Sequence, residues 1–422
     1  MNPEHNHRVQ VDDDGNLVIP AAVARQYGIQ PGIELHLDEK EDGLLIRKPI
    51  SRLAKIYIEP TNQCNLSCRT CIRNAWDEPM GQMAEATFER IVDDLQSFDP
   101  RPSIFFGGFG EPLSHPQIVE MVSRATKVSD RVELITNGML LTEERSRALI
   151  QAGLSTLWVS VDGVTPESYA DVRLGAALPD IFENITKYRD LYRQTLGGIP
   201  EIGLAFVAMK RNIADLPELL KMSSRLGISH YLVTNVLPYT REMCEEMLYT
   251  RSIDTLGSRS SPWNPRLDFP QMDANQYTRE PLIRLMNTHP YYFQPQYFLV
   301  DNERTDRRDC CPFIRQGSTA ISWDGNLSPC LPLMHQHTSF LLDIHRFSRR
   351  HVVGNISEHK LLELWESPDY VNFRRRVDDF DFSPCTVCAS CEMAESNQED
   401  CFGNTFPTCG GCLWAQGFIR CP

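Results

Sequence analysis

From about residue 51 to 240 the chain repeats one unit six times: a short apolar run, a polar or glycine-bearing loop, then an amphipathic stretch. The runs at 54–59, 103–106, 131–135, 156–161, 203–208 and 230–235 read as strands, and 84–95, 117–126, 142–152 and 216–226 as helices between them. Strands joined by helices lie parallel, because each helix carries the chain back across the sheet. The expected fold is therefore α/β, a partial (β/α)6 TIM-like barrel. In such a fold the chemistry belongs at the C-terminal ends of the strands.

The unusual residues fall at those ends. The first strand is followed by Cys64, Cys68 and Cys71 in a C-x3-C-x2-C spacing. The second is followed by Gly107-Gly108-Phe109-Gly110-Glu111-Pro112, and the third by Thr136-Asn137-Gly138. The fourth ends in Ser160, Asp162 and Gly163, with Arg173 in the next helical stretch; Lys210-Arg211-Asn212 and Thr234-Asn235 follow the last two. Three thiolates hold three irons of a [4Fe–4S] cube, which normally takes four, and so leave one iron open. On spacing alone, a zinc knuckle or half a ferredoxin is the other reading. The mouth suits a small zwitterion carrying a ribose. Gly108 and Gly110 admit close backbone approach, Glu111 accepts from an ammonium, and Arg173 grips a carboxylate with its planar fork. Asn137, Ser160 and Asp162 can bond hydroxyls. Otherwise Glu111 is a solvated loop acid, and Arg173 pairs with Asp171 or Glu167 on a helix surface.

Fourteen cysteines in a chain whose first residues are polar and acidic argue for metal or redox chemistry in a reducing, cytoplasmic setting rather than for a disulfide framework. No apolar run approaches the ~18 residues of a membrane span. A net charge of −14 makes a nucleic-acid partner unlikely. Ten cysteines crowd the last part of the chain: Cys310, Cys311, Cys330, Cys385, Cys388, Cys391, Cys401, Cys409, Cys412 and Cys421. They suffice for one or two fully ligated clusters, with zinc as the competing metal. Cys244 reads as a plain buried thiol, and His335-Gln336-His337 as an exposed polar turn rather than a metal site. Residues 241–309 read as an irregular bridging segment. The expected domains are 1–50, 51–240, 241–309 and 310–422.

Residues 1–50 read as a β-rich module: a hairpin around Gly15-Asn16, a short helix to about Tyr27, and two further strands. The order Asp14-Gly15-Asn16-Leu17-Val18-Ile19-Pro20 then Tyr27-Gly28-Ile29-Gln30-Pro31-Gly32 resembles the swapped-hairpin (AbrB-like) domain of bacterial regulators, which implies a homodimer. Acidic residues outnumber basic ones here, which favours dimerisation or docking over DNA binding.

Residues 53–238 resemble the radical S-adenosylmethionine (SAM) superfamily, on the strength of Cys64, Cys68 and Cys71, the 107–112 loop, Ser160-Val161-Asp162-Gly163 and Arg173. The resemblance implies that Cys64, Cys68 and Cys71 hold a catalytic [4Fe–4S] cluster. It implies that Gly108, Gly110, Glu111, Asn137, Ser160, Asp162 and Arg173 bind SAM, which is reductively cleaved to a 5′-deoxyadenosyl radical. The family's aromatic residue before the third cysteine is Thr70 here, leaving Ile72 or Trp76 to pack on the adenine. Cys311, Gly325-x4-Cys330 and the later C-x2-C pairs resemble the SPASM auxiliary-cluster domain, although its C-x5-C-x3-C segment is replaced. The tail from Asn397 through Cys409-Gly410-Gly411-Cys412-Leu413-Trp414-Ala415 to Cys421-Pro422 resembles the maturases of tungsten-cofactor oxidoreductases. Together these imply a maturase acting on a protein, a peptide or a tungsten-enzyme cofactor site, with a reduced ferredoxin or flavodoxin as donor. The alternatives are a radical enzyme of small-molecule cofactor synthesis and a redox-sensing DNA-binding regulator.

Overall fold

The computed structural model describes residues 9–27, 37–40, 43–46, 49–249, 266–268, 275–288, 311–341, 344–386 and 391–421, with isolated residues between them. Six parallel strands form its centre: β1 (Lys55–Ile58), β2 (Ser103–Phe106), β3 (Val132–Thr136), β4 (Thr156–Ser160), β5 (Glu201–Ala208) and β6 (His230–Asn235). They lie side by side in chain order, as the repeat predicts. Ile56 stands opposite Ile104, and Ile104 opposite Val132. Their side chains are apolar almost continuously rather than alternately, because helices cover the sheet: Ile56, Ile58, Phe106, Leu134, Leu157 and Val159 have no exposed surface.

The expected helices form within a residue or two of their expected ends. Glu85–Leu95 buries Phe88, Ile91, Val92 and Leu95, one stripe at helical spacing. Glu143–Gln151 starts where the Thr142 hydroxyl accepts from the Arg145 N–H at 3.3 Å. The helical stretch expected around Arg173 is Pro166–Val172, which Arg173 caps. The helix Leu178–Leu196 was not foreseen; it buries Leu178, Ile181, Ile185, Tyr188 and Leu191, a stripe diluted by charged neighbours.

The sheet is larger than six strands. Arg266–Asp268 adds in parallel to β6, and Ser318–Ile321 in parallel to β1. Asn326–Ser328 and Gly354–Asn355 then continue it in antiparallel fashion. The segment expected to be an irregular bridge thus contributes a sheet strand and the helices Arg241–Glu245 and Arg279–Thr288. The cysteine-rich region is joined to the core sheet by backbone hydrogen bonds. Near the N-terminus, Gln10–Val11 pairs with Leu17–Val18 and Leu37–Lys40 with Gly43–Ile46, around the helix Ala21–Gln26. Val11 and Leu44, at 65% and 62% exposure, leave apolar surface open in a single chain. Among the described residues no helix is long and apolar enough to cross a membrane.

The expectation of an exposed turn at 335–337 is corrected: His335 and His337 are 2% and 4% exposed. His335 Nε2 lies 2.7 Å from Glu59 Oε2, just past β1, and its Nδ1 contacts the Glu78 carboxylate. Glu78 also accepts from the Gln336 N–H at 2.9 Å. Burial alone would disfavour the imidazolium, but the two carboxylates outweigh it and push the His335 pKa up to about 9. Charged partners made a polar tripeptide a tie between distant segments, which periodicity does not reveal.

A histidine whose pKa rises from about 6.5 unfolded to about 9 folded stabilises the protein fully below the lower value. That contribution, about 3 kcal/mol, disappears as pH rises through the upper one. Urea titrations at about pH 6 and about pH 10 should show the wild-type midpoint falling with pH, and His335→Gln starting low and changing less. Equal midpoints for the two proteins at the lower pH would remove His335 from this role.

Candidate active site

The C-terminal ends of the six strands, with the loops after five of them, meet around a cavity of about 300 Å³. Cys64, Cys68 and Cys71 line it, with Gly108, Gly110, Glu111, Asn137, Ser160 and Arg173. The cysteine loop is wound around a residue that sequence reasoning passed over. Arg73 donates through Nη2 to the Leu66 carbonyl at 2.6 Å and through Nε to Cys71 Sγ at 3.3 Å. The Arg69 N–H donates to the Val172 carbonyl at 3.0 Å, which fastens the loop to the segment carrying Arg173. Burial pushes the Cys64 and Cys68 thiols up, opposed by Arg73 at the first and Arg173 at the second. Both guanidinium groups thus favour thiolate at this loop.

Arg173 is held in place by an ion pair. Its Nε donates to Asp162 Oδ2 at 2.7 Å, and Asp162 Oδ1 accepts the Val207 N–H at 2.8 Å. Burial opposes the Arg173 charge, but Asp162 and then Cys68 outweigh it and keep the guanidinium protonated. Asp162 is fully buried and does not line the cavity. One bond to each of its oxygens, from Arg173 and from the β5 backbone, sets it behind the arginine rather than on the cavity wall.

Glu111 is 2% exposed and is no solvated loop acid. It accepts from the Thr136 hydroxyl at 2.7 Å, the Asn137 N–H at 2.7 Å and the Leu113 N–H at 3.0 Å. A carboxylate has about four lone-pair sites, so one remains for a further donor. Burial raises its pKa against these donors. Asn137 donates to Asn65 Oδ1 at 2.8 Å, which ties the third strand's loop to the cysteine loop. Gly108 has φ +109°, and a Cβ there would sit 2.7 Å from Glu59, so a side chain would displace the glycine-rich loop. Of the two adenine-packing candidates, Ile72 lines the cavity. Trp76 instead packs edge-on against His335, with ring centroids 4.6 Å apart.

A second cavity, about 60 Å³, is ringed by Cys311, Cys330, Cys409 and Cys412. Leu237 and Trp414 line both cavities and form a shared wall. Trp414 Nε1 donates to Cys421 Sγ at 3.2 Å, and burial pushes that thiol up to about 11. Cys385 is buried against Ser383, whereas Cys391 and Cys401 are exposed. Cys310 and Cys388 lie outside the described residues. The ten expected ligands are thus not one group. Cys244 is partly buried. Trp414, Ile419, Leu237 and Tyr239 also line the first cavity and were missed; the tail was noted for its spacing, not for where it folds.

Residues 58–220 match the family model described as Radical SAM superfamily, and residues 310–392 one described as iron-sulfur cluster-binding domain. The chain is 30% identical over 371 residues to a tungsten-containing aldehyde ferredoxin oxidoreductase cofactor-modifying protein of Pyrococcus furiosus, covering 87% of this chain and 96% of that one. The chain belongs to the radical SAM superfamily. An AdoMet-dependent heme synthase of Oleidesulfovibrio alaskensis is 26% identical over 388 residues, covering 90% of this chain and 85% of that one. Among solved structures, Streptococcus suis SuiB bound to precursor peptide SuiA shares the fold, with a TM-score of 0.51 at 16% identity, over 82% of this chain and 71% of that one.

A radical SAM domain implies a [4Fe–4S] cluster and SAM, and the C-terminal domain implies auxiliary clusters. The donor sets fit such groups. The first cavity offers three cysteines and the second four. A cube takes thiolates at separate irons.

Arg173→Ala removes a buried cation that faces the cavity. It should weaken SAM binding roughly tenfold to a hundredfold, the worth of a charge-assisted pair, and leave iron content unchanged. Equilibrium dialysis of the reconstituted protein measures this; wild-type affinity in the variant would exclude Arg173 from the site.

Proposed function

We propose that this chain is a maturase that acts on the metal–pterin site of a tungsten-dependent oxidoreductase. The observation that carries the reading is the joint wall. Three thiols face Arg173, Glu111 and Asn137 across one chamber, and the C-terminal tail closes that chamber with Trp414 and Ile419. The printed name of the full-length relative supplies the direction toward a tungsten enzyme.

In this reading Cys64, Cys68 and Cys71 hold the catalytic cluster, which when bound supplies the electron that cleaves SAM to a 5′-deoxyadenosyl radical. Arg173 takes the SAM carboxylate while Asp162 orients it. The open lone pair of Glu111 accepts from the SAM ammonium. Asn137 and Ser160 bond the ribose hydroxyls, and Gly108 and Gly110 let the backbone approach. Leu237, Tyr239, Trp414 and Ile419 exclude water, which keeps a reactive intermediate from quenching. Cys311, Cys330, Cys409 and Cys412 hold one auxiliary cluster, and Cys385 belongs to a second set. A reduced ferredoxin or flavodoxin in a reducing compartment supplies electrons.

A second reading, small-molecule cofactor synthesis, draws on the relative named as a heme synthase. Substrate-stimulated formation of 5′-deoxyadenosine separates the two. Formation should rise above the uncoupled background when the metal–pterin form of a tungsten oxidoreductase is added. A rise with free iron–tetrapyrrole only would overturn the maturase reading in favour of the second.

A further inference from the structure

Arg346 is 6% exposed and lines the cavity ringed by Cys311, Cys330, Cys409 and Cys412. It lies on the strand Ile344–Ser348 of a hairpin, and its Nη1 donates to the Ala394 carbonyl at 2.6 Å. Its other face presses on the backbone between Cys409 and Cys412. A Cβ at Gly411 would stand 2.5 Å from Nη1 and 2.7 Å from Cζ, so glycine is what lets the guanidinium reach this depth. Among the described residues no carboxylate pairs with it. The groups that favour its charge are the thiols of Cys385, Cys412 and Cys409, while burial opposes it. His337 lines the same cavity but donates Nδ1–H to the His335 carbonyl at 3.0 Å. Burial holds its pKa down to about 4, so it adds no second positive charge.

A guanidinium buried without an anion is costly, and it persists where something nearby carries negative charge. Four neutral thiols do not. Four thiolates around an oxidised [4Fe–4S] core leave a net negative group, and so satisfy the arginine. We infer that Arg346 is the internal counter-ion of the auxiliary cluster held by Cys311, Cys330, Cys409 and Cys412, and that it raises that cluster's reduction potential. An added electron makes the cluster more negative, so an adjacent fixed cation stabilises the reduced form more than the oxidised one.

This inference rests on the reading that these four cysteines hold a cluster, and the experiment tests the two separately. The full-length protein is reconstituted anaerobically as wild type, Cys330→Ala/Cys412→Ala, Arg346→Gln and Arg346→Lys. Iron and sulfide content are measured, and reduction is followed by electron paramagnetic resonance. Retention of every cluster signal in the double cysteine variant would sink the cluster assignment itself. With that signal lost as expected, Arg346→Gln should shift the auxiliary potential to more negative values and leave the catalytic cluster's potential in place. Arg346→Lys should fall between the two. An unshifted potential in Arg346→Gln at full iron content overturns the counter-ion role. If Arg346→Gln fails to load the auxiliary cluster while Arg346→Lys loads it, the charge is needed and the inference stands. Failure of both variants to load would assign Arg346 to packing and overturn it.

Discussion

The parallel alignment of six strands is the constraint on which the rest depends. Because β1 to β6 run the same way in chain order, every strand delivers its C-terminal loop to one edge of the sheet. Cysteines, glycines, an acid, an amide and an arginine spread over more than a hundred residues of the chain therefore share one chamber. The strand Ser318–Ile321 uses the same geometry. By adding in parallel to the free edge of β1, it brings the cysteine-rich region beside the cysteine loop. Trp365 secures this seam by donating to the Ser51 carbonyl at 2.6 Å, and Arg374 does so by donating to the Ile50 carbonyl at 3.0 Å.

Buried charges set the finer geometry. Asp162 aims Arg173, Glu59 and Glu78 hold His335, and Glu59 also accepts the Phe109 N–H at 3.0 Å. Through Glu59 the glycine-rich loop and the C-terminal region share one carboxylate. Such pairs add little net stability over apolar packing, but removing one partner strands the other, so they fix position strictly. Arg346 differs, since thiols rather than carboxylates stand opposite it.

Much of this was legible in the sequence, for identifiable reasons. The core strands are continuous apolar runs bounded by polar loops, and such runs stand out. The site residues stood out because glycine, cysteine and arginine are unusual immediately after a buried strand. The pairing of Asp162 with Arg173 was not legible, because spacing does not say where a carboxylate's oxygens point. The helix Leu178–Leu196 was hidden by the charges interspersed in its stripe. The parallel strand Ser318–Ile321 was hidden because its partner, β1, lies far away in the chain. Arg73, Trp414, Arg346 and the burial of His335 depend on contacts across the fold, which no local pattern encodes.

Reductive cleavage of SAM belongs to the chamber at the strand ends. The direct test is 5′-deoxyadenosine formed by the anaerobically reconstituted, dithionite-reduced protein, measured beside a variant with Cys64, Cys68 and Cys71 all changed to Ala. The wild type should form product and the variant none. Absence of product from a wild type whose reduced cluster is spectroscopically intact would contradict it.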